Sequence, residues 1–268
     1  MIIDISQYND VYDWDKVKKS VSGVIIRAGY RGYGKRGTLC TDKSFQKYAE
    51  AMISRNIPLG VYWVTQAVNT TEILEECIYL HDLIKKEIKG KPDLGVWLDS
   101  EPSGHPQNQG RADSLTRNAR TDLVNDFCRY FNDQDFNVGL YCSDSWLDDK
   151  LVYSRLSSPS YWVARYGKNN GKPGDSPKHY YDIWQYTSKG RVNGIIGDVD
   201  LNEKPVTKML PNIKGYTGHS IAEALRQYGY PNDYNTRKTY AEILGIKGYR
   251  GTADQNLEMI KMLGGVIR

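Results

Sequence analysis

The chain has 268 residues, 40% of them hydrophobic, which is enough for one large domain or for a large domain and a small one. Its 36 Lys and Arg residues nearly balance 32 Asp and Glu, so the net charge of +4 gives no indication of nucleic-acid binding. The 21 Tyr and six Trp residues far outnumber the four Phe, and rings with a polar group suit both stacking on sugars and half-buried packing in strands.

Eight short strands are predicted by apolar runs rich in Val, Ile and Tyr: residues 2–5, 23–28, 59–64, 95–98, 138–142, 161–164, 183–186 and 199–201. Three helices are predicted between the early strands, at 43–55, 70–86 and 116–131, with Thr70 or Thr71 capping the second. The helical segments become short after residue 138. The pattern therefore predicts the α/β class, as an irregular, TIM-like β/α barrel with an incomplete second half.

The strand pattern ends near residue 204, and the remaining tail has a different composition. Turn residues over 205–217 predict a linker, and three helices follow at 220–228, 235–244 and 252–263. We expect a barrel domain over 1–204, the linker over 205–217 and a small three-helix domain over 218–268, with few contacts across the linker. Seven apolar residues are predicted to form the core of the small domain: Ile221, Leu225, Ile243, Leu244, Leu257, Ile260 and Leu263.

The cysteines and histidines are scattered, without the spacing of a metal site or a redox pair. We therefore expect no metal, no cofactor and free thiols. The first residues contain no basic region and no long apolar run, which predicts neither a secretory signal nor a membrane span. The sequence does not predict an oligomeric state.

The most informative segment is LGVWLDSEP at 94–102, where an apolar strand runs into two carboxylates. Alternation along a strand puts Asp99 and Glu101 on one face, with Cβ atoms about 7 Å apart. Two acids on one face raise the pKa of one of them, which supplies a proton donor at neutral pH. The pattern indicates glycoside hydrolysis, and solvated charges at the end of a strand are the alternative.

Other acids and aromatic residues also fall at the predicted strand ends. Asp4 closes the first strand, and Asp198 and Asp200 flank the last. The aromatic residues at strand ends are Tyr62, Trp63, Tyr141, Trp162, Trp184 and Tyr186. A barrel would bring all of these into one cleft at its C-terminal face. An acidic cleft of this kind could also bind a divalent cation through oxygen ligands.

From about residue 2 to about residue 203, the chain resembles the lysozymes of glycoside hydrolase family 25. The resemblance depends on motifs in one order: DISQYN at 4–9, GVIIRAGY at 23–30, VWLDSE at 96–101, WVARY at 162–166, WQYTS at 184–188 and DVDLN at 198–202. It implies an N-acetylmuramidase that cuts the β-1,4 bond between N-acetylmuramic acid and N-acetylglucosamine in bacterial peptidoglycan. Arg27 and Tyr166 lie within these motifs and join the aromatic residues as candidate substrate-binding residues.

By this resemblance, Glu101 matches the general acid and Asp99 the carboxylate beside it. Asp4 and Asp200 match two further acids of the cleft. Asp198 lies two residues from Asp200 on the same predicted face, so a bulge in the strand would exchange their roles. Asp198 is otherwise expected to hold the loop without touching substrate.

The sequence leaves the stereochemistry open between retaining, inverting and substrate-assisted hydrolysis. We favour attack by the substrate's own N-acetyl group, with Asp99 steadying the positive charge and Glu101 protonating the leaving oxygen. Because other acids surround it, Glu101 should hold its proton to a higher pH than a free glutamate. The alternatives to a muramidase are a carbohydrate-binding pseudoenzyme and a hydrolase of another N-acetylated glycan, such as chitin.

The tail looks like the short helical modules of phage endolysins, which implies binding to the cell wall. The matching stretches are NTRK at 235–238 and GYRGTADQN at 248–256. A dimerisation unit and a stabilising cap are the alternatives. Eight Lys and Arg against five Asp and Glu over 211–268 suit an anionic wall. The resemblance implies an endolysin that is made in the host cytoplasm and acts on the wall after release.

Overall fold

The computed structural model describes residues 1–104, 110–157, 160–205 and 210–267. The strands are β1 (Ile2–Ile5), β2 (Asp10–Val11), β3 (Gly23–Arg31), β4 (Leu39–Thr41), β5 (Leu59–Val64), β6 (Val96–Asp99), β7 (Val138–Ser143), β8 (Ser160–Ala164), β9 (Ile183–Gly190), β10 (Ile195–Ile196) and β11 (Val199–Glu203). The helices are α1 (Trp14–Ser20), α2 (Phe45–Ile53), α3 (Thr70–Leu83), α4 (Arg117–Asp133), α5 (Asp144–Asp149), α6 (Ile221–Gln227), α7 (Tyr234–Ile243) and α8 (Ala253–Met262). A π-helical turn, Ile84–Ile88, extends α3, and a 3₁₀ turn, Tyr153–Arg155, precedes β8.

Eight strands close into a barrel in the order β1, β3, β5, β6, β7, β8, β9 and β11. The first seven run parallel to one another, whereas β11 is antiparallel to both β9 and β1. Residues 165–182, all of which the structure describes, contain no helix. The predicted β/α barrel with an irregular second half is therefore confirmed, and the antiparallel last strand is part of that irregularity.

Helix α4 illustrates how the sequence specifies the covering helices. Thr116 caps its first turn by accepting a hydrogen bond from the backbone N–H of Ala119, and apolar residues at helical spacing form its buried face. The prediction that Thr70 or Thr71 caps α3 is wrong. Asn69 has the extended backbone of a cap residue, and its side chain accepts from the backbone N–H of Glu72.

Strand alternation separates two apolar clusters. The outer cluster lies between the barrel and its helices, whereas the inner cluster fills the barrel with Ile2, Ile25, Trp97, Tyr141, Trp162, Ala164 and Ile183. Gly139 makes room for the wide Trp97 ring, because a Cβ atom at this position would lie 2.4 Å from it. The interior is thus filled by large aromatic side chains below the C-terminal face.

Residues 210–267 form the predicted three-helix unit. Four of the predicted core residues are buried: Ile221, Leu225, Ile260 and Leu263. The prediction for Ile243 is wrong, since 44% of this residue is exposed, and Tyr240 on the same helix is fully buried instead. Of the predicted linker, residues 206–209 lie outside the described residues. The part over 213–217 belongs to the helical unit, because Ile213 and Tyr216 exchange backbone hydrogen bonds with the segment that follows α8.

The helical unit packs against the barrel through tyrosine rings at the N-terminal ends of β8 and β9. The ring of Tyr180, just before β9, lies 6.0 Å from that of Tyr230 and 6.5 Å from that of Tyr240. Gly229 lies so close to Tyr153 that an added Cβ would be 2.0 Å from its ring. The two units therefore touch through these rings, and the expectation of few contacts across this boundary stays a prediction.

The contact between the two units leaves a cavity of about 870 Å³, which Asn137, Ser160 and Asp182 line from the barrel side. These residues lie at the starts of strands, so the cavity is at the end of the barrel opposite the acidic residues. All four cysteines are free thiols, as expected. Over the described ranges, no helix is long and apolar enough to cross a bilayer.

Candidate active site

Asp99 and Glu101 lie at the carboxyl end of β6, with different surroundings. Asp99 is buried, and its Oδ1 atom has no hydrogen-bond partner among the described residues. Burial, followed by the negative charges of Glu101 and Asp4, raises the pKa of Asp99 well above its usual value. Glu101 reaches solvent at the mouth of the cleft.

The pKa of Glu101 rises to about 7, mainly because the surrounding protein desolvates its carboxyl group and then because of the charge of Asp4. Arg27 opposes both effects. The expectation that Glu101 holds its proton to a higher pH than a free glutamate is confirmed in direction. Its main cause is desolvation rather than the number of acids nearby.

Asp4 and Asp200 form a second pair of acids, joined by the antiparallel pairing of β1 with β11. The two residues are register partners, and their carboxyl groups are hydrogen-bonded to each other. Asp4 also accepts from Gln185 Nε2 at 2.9 Å and from Asn202 Nδ2 at 2.8 Å. Burial and the charge of Asp4 raise the pKa of Asp200 to about 9, and burial also raises the pKa of Asp4, so the pair holds a proton at neutral pH.

The two pairs form one cluster. The charge of Asp4 raises the pKa of Asp99, of Glu101 and of Asp200, which places Asp4 near all three. Arg27 supplies a positive charge that lowers the pKa of Asp99 and Glu101, and its Nε atom donates to Asp42 at 2.7 Å. Among the described residues, no group of three or more His, Cys, Asp and Glu is arranged to hold a metal ion.

Three of the predicted aromatic residues lie beside the acids. The negative charges of Asp4 and of other cleft acids contribute to raising the pKa of Tyr62, Tyr141 and Tyr166, in each case after burial. Trp162 lies beneath them, with its ring 4.5 Å from that of Tyr141, and only 1% of it is exposed. The prediction that Trp162 contacts the substrate is therefore wrong, because it supports the tyrosines from below.

The predictions for Trp63, Trp184 and Tyr186 are also wrong. Each belongs to the outer cluster between the barrel and its covering layer, and Trp63 is completely buried there. Successive residues on a strand point to opposite faces, so Tyr62 and Trp63 cannot both line the cleft. The same alternation turns Trp184 outward and Gln185 inward.

Asp198 does not join the cluster. Its carboxylate forms an ion pair of 2.9 Å with Arg191 on the rim, and half of the side chain is exposed. The pairing of β11 with β9 shifts register between Val199 and Leu201, so the two acids do not share one regular face. This arrangement favours Asp200 as the site acid and Asp198 as the residue that holds the loop.

We expect Asp200→Asn to lower kcat by about tenfold or more and Asp198→Asn to lower it by less than about threefold. Asp200 shares a buried proton with Asp4, whereas the exposed pair of Asp198 with Arg191 contributes little. Turnover of a soluble glycan fragment by both purified variants checks this order. The reverse order would assign the site acid to Asp198.

Sequence reasoning missed three residues of the cleft. Gln185 and Asn202 hold Asp4, and strand alternation from Trp184 would have pointed to Gln185. Tyr33 lies in the loop after β3, where no pattern singles it out. Burial raises its pKa to about 12, with further contributions from the charges of Asp99 and Glu101, which places its ring next to these acids.

The paired carboxylic acids and the tyrosines lie at one end of a closed β/α barrel, where the parallel strands end, and glycoside hydrolases use paired carboxylic acids in such a site. One acid at the mouth retains its proton near neutral pH, and its partner is buried beside it. Residues 3–195 match the family described as Glycosyl hydrolases family 25. The chain belongs to this family.

Similar proteins include an autolytic lysozyme of Clostridium acetobutylicum, which is 25% identical over 202 residues. That alignment covers 75% of this chain and 54% of the relative, so the chain spans about half the length of the curated relative it matches.

Two solved structures are similar in fold and sequence. The modular autolysin LytC from Streptococcus pneumoniae, solved in complex with a synthetic peptidoglycan ligand, is 28% identical with a TM-score of 0.64, and the match covers 75% of this chain and 45% of that one. The catalytic domain of endolysin ply40, from bacteriophage P40 of Listeria monocytogenes, is 27% identical with a TM-score of 0.63, covering 76% of this chain and 92% of that one.

Proposed function

We propose that the protein is a peptidoglycan hydrolase of the phage endolysin type, which cuts the β-1,4 bond between N-acetylmuramic acid and N-acetylglucosamine. The observation that carries this proposal is the pair of acids at the carboxyl end of β6: Glu101 at the cleft mouth with a pKa of about 7, and Asp99 buried beside it. The similarity to the catalytic domain of a phage endolysin and to an autolytic lysozyme supports it.

In the proposed mechanism, the acetamido oxygen of the muramic acid residue attacks the anomeric carbon while the glycosidic C–O bond breaks. Glu101 donates its proton to the leaving oxygen of the glucosamine residue. The positive charge that develops on the acetamido group favours the ionised form of Asp99, whose Oδ1 has no other described partner. Water then attacks the anomeric carbon as the bond from that carbon to the acetamido oxygen breaks, which releases the acetamido group. The water gives a proton to Glu101, which restores the enzyme.

The decisive experiment identifies the reducing end that appears when purified peptidoglycan is digested. New muramic acid reducing ends are expected, and glucosamine reducing ends would refute the proposed bond. Chitin oligomers provide the matched substrate, because they carry the acetamido group without the lactyl ether. Cleavage of chitin but not of peptidoglycan would assign another N-acetylated glycan, and binding without new reducing ends would indicate a pseudoenzyme.

We also propose that residues 210–267 bind the cell wall. The motif residues Tyr249 and Asn256 are used inside the unit, since the Tyr249 hydroxyl accepts from Arg237 and donates to Asn256 at 2.6 Å. Lys238 and Arg250, from the same two matching stretches, are exposed. The positive surface that remains suits an anionic polymer.

Reversing both charges in the full chain, with Lys238→Glu and Arg250→Glu, should reduce co-sedimentation with purified walls severalfold at low salt. The same reversal at Lys47 and Lys85, two exposed lysines on the covering helices of the barrel, is the matched control. Activity on a soluble glycan should be equal in all three proteins. Equal wall binding by the two double variants would argue against a wall site on the tail.

For the place of action, we propose synthesis in the host cytoplasm and access to the wall only after the membrane is breached. Cells that express the protein should then remain intact until their membrane is permeabilised and lyse afterwards. Lysis of untreated cells would contradict this proposal.

A further inference from the structure

Gln185 lies in the middle of the candidate site without being one of its acids. It belongs to β9, faces the barrel interior and is 2% exposed. Its Oε1 atom accepts from the hydroxyl of Tyr141 at 2.6 Å and from that of Tyr166 at 2.7 Å. Its Nε2 atom donates to Asp4 at 2.9 Å and to Asp200 at 3.3 Å. All four hydrogen-bonding positions of the carboxamide are therefore used.

The four partners fix the orientation of this carboxamide. In the opposite orientation, the amide oxygen would face the Oδ2 atom of Asp4, which already accepts from Asn202, and one acceptor would then face another. The observed orientation also directs both tyrosine hydroxyl hydrogens toward Gln185. The oxygen atoms of Tyr141 and Tyr166 can then only accept hydrogen bonds from other groups.

We propose that Gln185 is a positioning residue of the cleft. Its amide nitrogen holds Asp4 and Asp200 by donating to both, and its amide oxygen accepts from Tyr141 and Tyr166, which leaves their hydroxyl oxygens as acceptors for N–H and O–H groups of the sugar. An acetamido group offers such an N–H donor. The inference thus rests on the proposed hydrolysis of an N-acetylated glycan and adds how the cleft recognises that group. Gln185 itself touches only protein groups.

Gln185→Glu separates the two parts of this role. The new carboxylate still accepts from both tyrosines but can no longer donate to Asp4 and Asp200. Because the lost donors stabilise the ionised form of Asp4, the acid pair should take up its second proton at a higher pH. We expect kcat on a soluble peptidoglycan fragment to fall about 100-fold and KM to change less than about threefold. The midpoint of the acidic limb of the pH profile should move to a higher pH by about one pH unit.

Tyr166→Phe tests the other part, because it removes one acceptor from the cleft and keeps the amide donors on the acids. Tyr166 is only half-buried, so the barrel should tolerate the change. We expect KM to rise about fivefold or more, with the acidic limb close to that of the wild type. The natural chain must release reducing ends from peptidoglycan first, so failure of the proposed function is recognised before any variant is compared.

Gln66→Glu is the control for burying a carboxylate, since Gln66 is 1% exposed and outside the acid cluster. It should lower the melting temperature without moving the acidic limb. If Gln185→Glu loses activity only in proportion to its melting temperature, with the acidic limb unmoved, the residue is merely structural and the proposal fails. If Gln185→Glu does not fold, Tyr166→Phe decides: an unchanged KM overturns the proposal and a raised KM supports it.

Discussion

Glu101→Gln is expected to lower kcat on peptidoglycan by about 10²- to 10⁴-fold, while the fold and wall binding remain intact. The amide keeps the shape of the side chain but has no proton to transfer. Because Glu101 already reaches solvent at the cleft mouth, the substitution leaves no buried group without a partner. Initial rates of reducing-end release measure kcat, and a melting curve for each protein checks that the fold is intact.

Glu203→Gln is the matched control, since Glu203 lies at the end of β11 near Tyr181 and Tyr186, which face the outer cluster. It should retain nearly full activity. The wild-type pH profile is a second readout: Glu101 acts in its protonated form and its pKa is about 7, so kcat should decline as the pH rises through about 7. A Glu101→Gln variant with more than about a tenth of wild-type activity would show that another group is the acid.

Tyr240→Ala is expected to lower the free energy of unfolding of the whole chain by about 3–5 kcal/mol. Tyr240 is fully buried, and its ring contacts Tyr180 of the barrel, so truncation leaves a cavity between the two units. Because the units share this contact, thermal unfolding should remain a single transition at a lower temperature. Circular dichroism and tryptophan fluorescence should report the same midpoint, since all six tryptophans lie in the barrel.

Tyr234→Ala on the same helix is the control, because 46% of Tyr234 is exposed and it does not contact the barrel rings named above. Tyr234→Ala should lower the free energy of unfolding by much less than Tyr240→Ala does. Two separate transitions in Tyr240→Ala, with the tryptophan transition unchanged, would show that the barrel does not depend on the helical unit. In that case a barrel ending near residue 202 would be expected to fold alone.

The order of strands and helices was predictable because each strand is a short apolar run and each covering helix has a periodic apolar face. The site was predictable in part. Asp99 and Glu101 follow from a single strand and its alternation, whereas the match of Asp4 with Asp200 came from the family resemblance. Their pairing joins residues at opposite ends of the barrel sequence, so no local pattern contains it.

The wrong predictions for Trp63 and Trp184 have one physical cause. Aromatic residues at strand ends were all assigned to the cleft, although Trp63 and Trp184 occupy the outward positions beside Tyr62 and Gln185. The turn-rich composition after residue 204 predicted a linker, but it did not indicate what the helical unit contacts. Docking of Tyr230 and Tyr240 onto Tyr180 depends on rings brought together by the tertiary fold, which composition does not reveal.

The last barrel strand, which pairs with β1 in the antiparallel direction, completes the acid cluster. Asp4 is on the first strand of the barrel and is synthesised before its partner Asp200, which is on the last strand of the barrel and pairs with β1. Contacts between residues so distant in sequence form slowly because a long loop must close first. A chain that has not yet added its last strand therefore lacks a complete acid cluster. After denaturation, the rate at which activity returns is expected to report the rate of barrel closure.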